Sequence, residues 1–199
     1  MVNMPISDQQ LSKEKKAKEV YTLINNTANQ NTVIQGLGGI LGTFTSVGAD
    51  IYALKIYYGL WNSIREMYGY PEITSADVET IVTKIGKELV YDIAFDKVIG
   101  YIPLIGIATN IMCAKTLTWR LGILFGMLSA RGSEVPDDSV NECVKLIRHI
   151  YPQNDMFTFK TPEEESVIQL ITNVHGNTLV QFHKKVTMAL EVMEDECVS

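Results

Sequence analysis

The apolar positions of this chain fall into blocks at helical spacing, and the longest block runs from Val98 to Ala130 (VIGYIPLIGIATNIMCAKTLTWRLGILFGMLSA). About 17 uncharged residues separate Lys97 from Lys115, and about 10 separate Arg120 from Arg131. At ~1.5 Å per residue the first run would reach roughly 26 Å as a helix, short of a hydrocarbon core of ~30 Å. Pro103 shortens it further, because a helix interior does not tolerate the missing N–H and Ile102 is pushed towards an extended conformation. The spacing predicts a continuous helix from Pro103 or Leu104 to about Ala130, with Gly132 as its C-cap. Lys115 and Arg120 then fall in mid-helix, which argues against a simple bilayer span and for burial against a hairpin partner. Gly122 and Gly126 form a small-xxx-small pair, as do Gly38 and Gly42, and glycine at that spacing lets helices approach closely. Each mid-helix glycine costs ~1 kcal/mol relative to alanine, so their presence points to a packing need.

The remaining blocks follow in order. Ser7 or Asp8 can cap a first helix to about Ile24, with Leu11, Val20, Tyr21 and Ile24 as its apolar contacts. Asn25 to Asn31 (NNTANQN) is expected to break it, since asparagine competes with the backbone for hydrogen bonds. No charge occurs from Val20 to Ala49, and Val33 to Ala49 reads as a small-residue helix or a helix followed by a turn. Beyond Asp50, Ile51, Leu54, Tyr58, Trp61, Ile64 and Tyr68 recur at steps of three and four, opposite Lys55, Asn62 and Glu66. This is an amphipathic helix stopped by Gly69 and Pro71. Thr74 or Ser75 caps the next, with a stripe of Val78, Ile81, Val82, Ile85, Leu89 and Ile93. After Gly132, Val140, Cys143, Val144, Ile147 and Ile150 mark a shorter helix. Thr161-Pro162-Glu163-Glu164-Glu165 is a helix start with a cap, proline in the first turn and acids at the positive end of the dipole. Val167, Ile168, Leu170, Ile171 and Val174 follow, and Gly176-Asn177 interrupts before Leu179 to Met193.

No strand alternation of useful length occurs, so the expected fold is all-α: a bundle of two apolar helical hairpins plus a C-terminal amphipathic region. The expected organisation is an N-terminal helix and Asn-rich linker over 1–32, an apolar core domain over 33–132, and a C-terminal helical region over 133–199 packed on that core.

Composition narrows the partners. The 199 residues are 46% hydrophobic and 20% charged, with a net charge of −6. Mean hydropathy is +0.07, above an ordinary soluble domain and below a polytopic membrane protein. An acidic balance excludes nucleic acid as the main partner, since neutralising phosphates needs clustered Lys and Arg. Lys13, Lys15, Lys16 and Lys18 do cluster, but Glu14 and Glu19 are interspersed, so the run reads as a solvated helix face with anionic lipid as a lesser reading. Cys113, Cys143 and Cys197 are odd in number and far apart, which indicates neither a disulfide framework nor a zinc site and suits a reducing cytoplasm. The N-terminus lacks the apolar core of a secretory signal, so export is not expected.

Candidate chemistry is sparse. His149, His175 and His183 do not converge, and no HExxH, EF-hand loop or GxSxG is present. The run Gly36 to Gly42 lacks GK[ST] and has no preceding strand, so nucleotide binding there is not expected. Charges at the apolar blocks are more informative, because buried charges need partners. Asp50 and Asp96 sit at block edges and Lys115 and Arg120 inside one, with a structural ion pair as the expected arrangement. Trp61, Trp119 and six nearby tyrosines can form either core or an interfacial belt, and core is the commoner outcome. No cofactor, metal or catalytic residue is assigned.

Two segments resemble a known family. SVGADIYALKIYYGLWNSIREMYGY and IGYIPLIGIATNIMCAKTLTWRLG resemble the helical C-terminal-tail domain of bacterial membrane-associated GTPases (YcjF-like, uncharacterised). The EcsC-like bacterial proteins are similar in the same features, the YG end and the Pro-x-x-Gly start. The match covers about Thr45 to Ala130, and the residues that carry over are Asp50, Tyr68, Gly69, Pro103, Gly106, Thr118 and Gly122. Neither family has an established catalytic site at these positions. No GTPase domain precedes the match in these residues, so the resemblance implies a stand-alone version with nucleotide hydrolysis left to a separate protein partner.

The expectation is therefore a non-enzymatic helical adaptor or regulator of the bacterial cytoplasm. It would act at the inner face of the membrane or on a membrane-associated, GTPase-like partner. A membrane-inserting or pore-forming protein is the main alternative, and a small-ligand binder using Asp50 or Asp96 the weaker one. Peripheral membrane contact and homo-oligomer formation stay open. Pro103, Gly106, Gly122 and Gly126, with the four charged residues above, are the positions of structural or functional interest.

Overall fold

The computed structural model describes residues 8–40, 46–76, 103–132, 144, 147 and 159–174. The elements among them are all helices: α1 (Asp8–Ile40), α2 (Ser46–Met67), α3 (Pro103–Arg131) and α4 (Glu164–Val174). The fold is all-α, with α3 at its centre. Every residue from Thr118 to Arg131 is buried, the polar Thr118, Arg120, Ser129 and Arg131 together with the apolar majority, as befits a central, largely apolar helix. Its ends follow local chemistry. Pro103 is its first residue, where a missing N–H costs nothing. Gly132, at φ +125°, closes it by donating its N–H to the Leu128 carbonyl at 3.2 Å.

Helix α1 runs antiparallel to α3. Asn31 meets Thr118, Ile24 lies over Gly122, and Val20 lies over Gly126. A β-carbon on Gly122 would stand 2.6 Å from Ile24 Cγ1, and one on Gly126 would stand 2.9 Å from Ile171 Cδ1. The two glycines are thus sockets for branched side chains of α1 and α4, one helical turn apart. The α1 stripe is Ala17, Val20, Ile24, Ala28 and Asn31, all buried and at steps of three and four.

The expected break at Asn25 to Asn31 is absent, and α1 continues unbroken to Ile40. Asparagine is only a weak helix breaker, and its cost is outweighed when tertiary contacts reward continuity. Asn26 and Asn29 face solvent, whereas Asn31 points into the core.

Helix α2 runs parallel to α3, with Tyr57 at the level of Thr118 and the Trp61 ring stacked on Phe125, centroids 4.5 Å apart and planes within 3°. It ends in a Schellman motif: Tyr70 N–H reaches the Arg65 carbonyl at 3.0 Å and Gly69 N–H the Glu66 carbonyl at 2.9 Å, with Gly69 at φ +78°. The following loop is tied back along α2. Arg65 Nε donates to the Pro71 carbonyl at 2.8 Å, and Asn62 Oδ1 accepts from Ile73 N–H at 3.0 Å. Asn62, expected on the solvated side, is buried for that purpose.

Helix α4 begins two residues later than expected. The Glu163 carbonyl accepts the first helical bond, from Val167 N–H at 3.2 Å, so Glu163 takes the capping position assigned to Thr161. Pro162 precedes the helix and is buried, its carbonyl accepting the Tyr21 hydroxyl at 3.1 Å. Helix α4 buries Val167 and Ile171. Ser75, Ala76, Val144 and Ile147 are helical at expected positions. The rest of those two helices, and the continuation past Val174, lie outside the described residues.

Candidate functional site

Two arrangements among the described residues bring polar groups together. The first is a node in the core where α1, α2 and α3 meet. Asn31 Nδ2 donates to Thr118 Oγ1 at 2.9 Å and to the Tyr57 hydroxyl at 3.4 Å. Thr118 Oγ1 in turn donates to the Ala114 carbonyl at 2.7 Å. Asn31 and Thr118 are wholly buried and Tyr57 nearly so. Burial pushes the Tyr57 phenol above its ordinary value, and hydrogen bonding with Thr118 and Asn31 only partly opposes that. Asn31 Oδ1 has no hydrogen-bond partner among the described residues. An amide, a hydroxyl and a phenol held protonated give this node no group that titrates near neutrality. It fixes helix register but cannot serve as an acid or base there.

The second arrangement is a groove of about 780 Å³ between α1 and α4. Glu14, Lys15 and Lys18 stand on its α1 wall and Glu164 and Glu165 on its α4 wall, with Ile168 and Thr172 further along α4. Lys15, Lys18, Glu164 and Glu165 are exposed, whereas Ile168 and Thr172 are half-buried. Lys18 Nζ and Glu164 Oε1 are 3.1 Å apart across the groove, with side chains 67% and 46% exposed. Exposure of that order leaves the pair weak. Glu164 also acts on Tyr21, whose phenol is raised by burial first and by the Glu164 charge second.

Of the charged residues singled out in the sequence, the side chains of Lys115 and Arg120 are among the described ones. Lys115 lies half-buried with its Nζ 5.3 Å from the centre of the Phe159 ring, so an aromatic face stands where a carboxylate was expected. Arg120 is 2% exposed and is engaged within the fold. Asp50 belongs to α2, while Asp92 and Asp96 lie outside the described residues. Pro103 and Gly106 both fall in the first turn of α3. The three histidines also lie outside the described residues. Among the described residues, no group of three or more His, Cys, Asp or Glu is placed to hold a metal ion.

Asn31 was missed as a core polar position, whereas Tyr57 was among the tyrosines for which core was the commoner expectation. Asn31 could have been found by carrying the Ala17–Val20–Ile24–Ala28 stripe one step further. The groove could not, because its walls are about 150 residues apart in the chain. Comparison with known protein families, curated proteins and solved structures finds no match to this chain.

Proposed function

We propose that this protein is a non-enzymatic helical adaptor or regulator that acts on a membrane-associated protein partner at the cytoplasmic face of the membrane. The observation that carries the reading is the burial of α3. Its residues Thr118 to Arg131 are taken up by the protein's own interior, and Gly122 and Gly126 receive Ile24, Val20 and Ile171. Among the described residues no helix is long and apolar enough to cross a membrane. An apolar block spent in this way supports a packed scaffold over an inserting hairpin. The polar node in the core favours structure over chemistry, since its groups stay neutral at physiological pH. The membrane-associated partner rests on the family resemblance of Thr45 to Ala130.

The test is co-sedimentation with bacterial inner-membrane vesicles, before and after protease treatment of the vesicles, beside dye release from protein-free phosphatidylethanolamine–phosphatidylglycerol vesicles. Sedimentation that protease treatment abolishes, without dye release, is the expected result. Dye release refutes the adaptor reading in favour of a pore former. Failure to sediment with untreated vesicles refutes it as well.

A further inference from the structure

Residues 25–31 (NNTANQN) form helix that their own composition does not favour. Four asparagines and a threonine stand among these seven residues, and each either competes with the backbone for hydrogen bonds or crowds the preceding turn. The stretch 13–19 before them (KEKKAKE) consists only of strong helix formers. Continuity through the asparagines therefore has to come from packing.

That packing is thin. Ala28 and Asn31 are the buried residues of the stretch, Asn25 and Thr27 are half-buried, and Asn26, Asn29 and Gln30 are exposed. Asn31 Nδ2 donates to Thr118 Oγ1 at 2.9 Å and to the Tyr57 hydroxyl at 3.4 Å, but Oδ1 of the same amide accepts nothing among the described residues. A buried carbonyl in that state carries a desolvation cost that water relieves on opening. The preceding turns are held differently. Ile24 and Val20 seat against Gly122 and Gly126 of α3, and the Tyr21 hydroxyl reaches the Pro162 carbonyl before α4.

We infer that α1 carries a joint at 25–31, with the Asn31 amide as its catch. Closed, the joint is helical and Asn31 holds Thr118 and Tyr57. Open, residues 25–31 leave the helix and water reaches the amide and both hydroxyls, while the turns up to Ile24 stay seated on α3. The break that the asparagines encode is the open state of a device whose closed state is the unbroken helix. Whether the catch holds then sets the direction of α1 beyond Asn31. The inference goes beyond the adaptor reading, and either can fail alone.

Native-state hydrogen exchange on the full chain, read amide by amide at urea concentrations below the unfolding transition, tests the joint. After correction for intrinsic rates, the amides of residues 27–33 are expected to exchange roughly tenfold or more faster than those of 20–24. Their rate should barely change with urea, because a local opening exposes little surface, whereas exchange at 20–24 should climb with it. N26A/N29A places the best helix former at two exposed positions and is expected to slow exchange at 27–33 by roughly tenfold. Thr118→Val takes the closer acceptor from the catch and is expected to speed it by roughly tenfold. Ile171→Val shortens the side chain that meets Gly126, about two turns along α3 from Thr118. It should speed exchange at 20–24 several-fold and leave 27–33 unchanged, since the open joint keeps that contact. Equal protection in the two stretches overturns the inference, as does urea sensitivity at 27–33 that matches 20–24. So does a rate at 27–33 that N26A/N29A or Thr118→Val leaves unchanged, or that Ile171→Val raises. The wild-type urea series is decisive even where a variant does not fold.

Discussion

Substituting Gly122 with alanine sets two known effects against each other. In an exposed helix interior, Gly→Ala gains about 1 kcal/mol from helix propensity. At Gly122 the new β-carbon would stand 2.6, 2.9 and 3.0 Å from Ile24 Cγ1, Cγ2 and Cδ1. Carbon pairs prefer ~3.5–4.0 Å, so the shortfall is close to 1 Å. Ile24 cannot give way easily. It is wholly buried, and a β-branched residue in a helix holds essentially one χ1 rotamer. Overpacking of this kind costs ~1–3 kcal/mol, which against the propensity gain leaves Gly122→Ala less stable than wild type by up to about 2 kcal/mol. Gly59 supplies the internal reference, because it is a helical glycine of α2 with nothing within 4 Å of its virtual β-carbon. Gly59→Ala should therefore gain up to about 1 kcal/mol. Urea unfolding followed by circular dichroism and by fluorescence of Trp61 and Trp119 measures both. Ile24→Ala alone should cost ~2–5 kcal/mol. Combined with Gly122→Ala it should recover at least ~1 kcal/mol relative to additivity, because one change fills what the other empties. If Gly59→Ala and Gly122→Ala shift stability alike, or the double mutant is additive, Ile24 does not seat in Gly122.

Three further outcomes follow from other contacts. Thr118→Val should cost ~1–3 kcal/mol by taking the closer of the two acceptors from Asn31 Nδ2, whereas Asn31→Leu, which removes the whole amide, should cost clearly less; urea unfolding giving the opposite order would refute the node as drawn. Lys115→Met should lose under ~1 kcal/mol, and Phe159→Leu should add little to it, as befits a partly exposed cation over a ring; a loss of several kcal/mol would restore the buried carboxylate partner to consideration. Tyr57 and Tyr68 are both raised, chiefly by burial, from an ordinary value of 10.0. The unfolded chain releases these protons near that pH while the folded chain keeps them, so stability is complete below it and declines as pH rises above it. Urea midpoints that stay flat through this range, or ultraviolet titration showing these tyrosines ionising in the native state like free phenols, would contradict the burial.

The parts of the fold legible in the sequence were those governed by local stereochemistry. Pro103 and Gly132 bound α3 because one residue cannot sit in a helix interior and the other readily leaves a helix. Gly69 ends α2 for the second of these reasons. The parts that were not legible depend on contacts made across the chain. Asn31 and Asn62 read as a helix breaker and a solvated side chain, and each is buried because a distant or looping group uses its amide. The Glu163 start of α4 depends on Pro162, whose carbonyl is taken up by Tyr21. Lys115 offered no sign of its ring partner, since Phe159 lies in a stretch without periodicity. The groove joins residues whose proximity no spacing rule encodes.

The antiparallel seating of α1 on α3 and α4 also fixes an order of events during synthesis. Helix α1 leaves the ribosome first, yet Asn31 meets Thr118 at a separation of 87 residues and Tyr21 meets Pro162 at 141. At ~5–20 residues per second, its partners emerge several seconds or more after it does. Through that interval α1 must neither aggregate nor bind elsewhere. Up to Asn31 its buried stripe holds only two branched side chains, Val20 and Ile24, and ends in an amide, with lysine and glutamate beside it before Val20 and asparagine after Ile24. A nascent helix of that kind exposes little for another chain to capture while it waits.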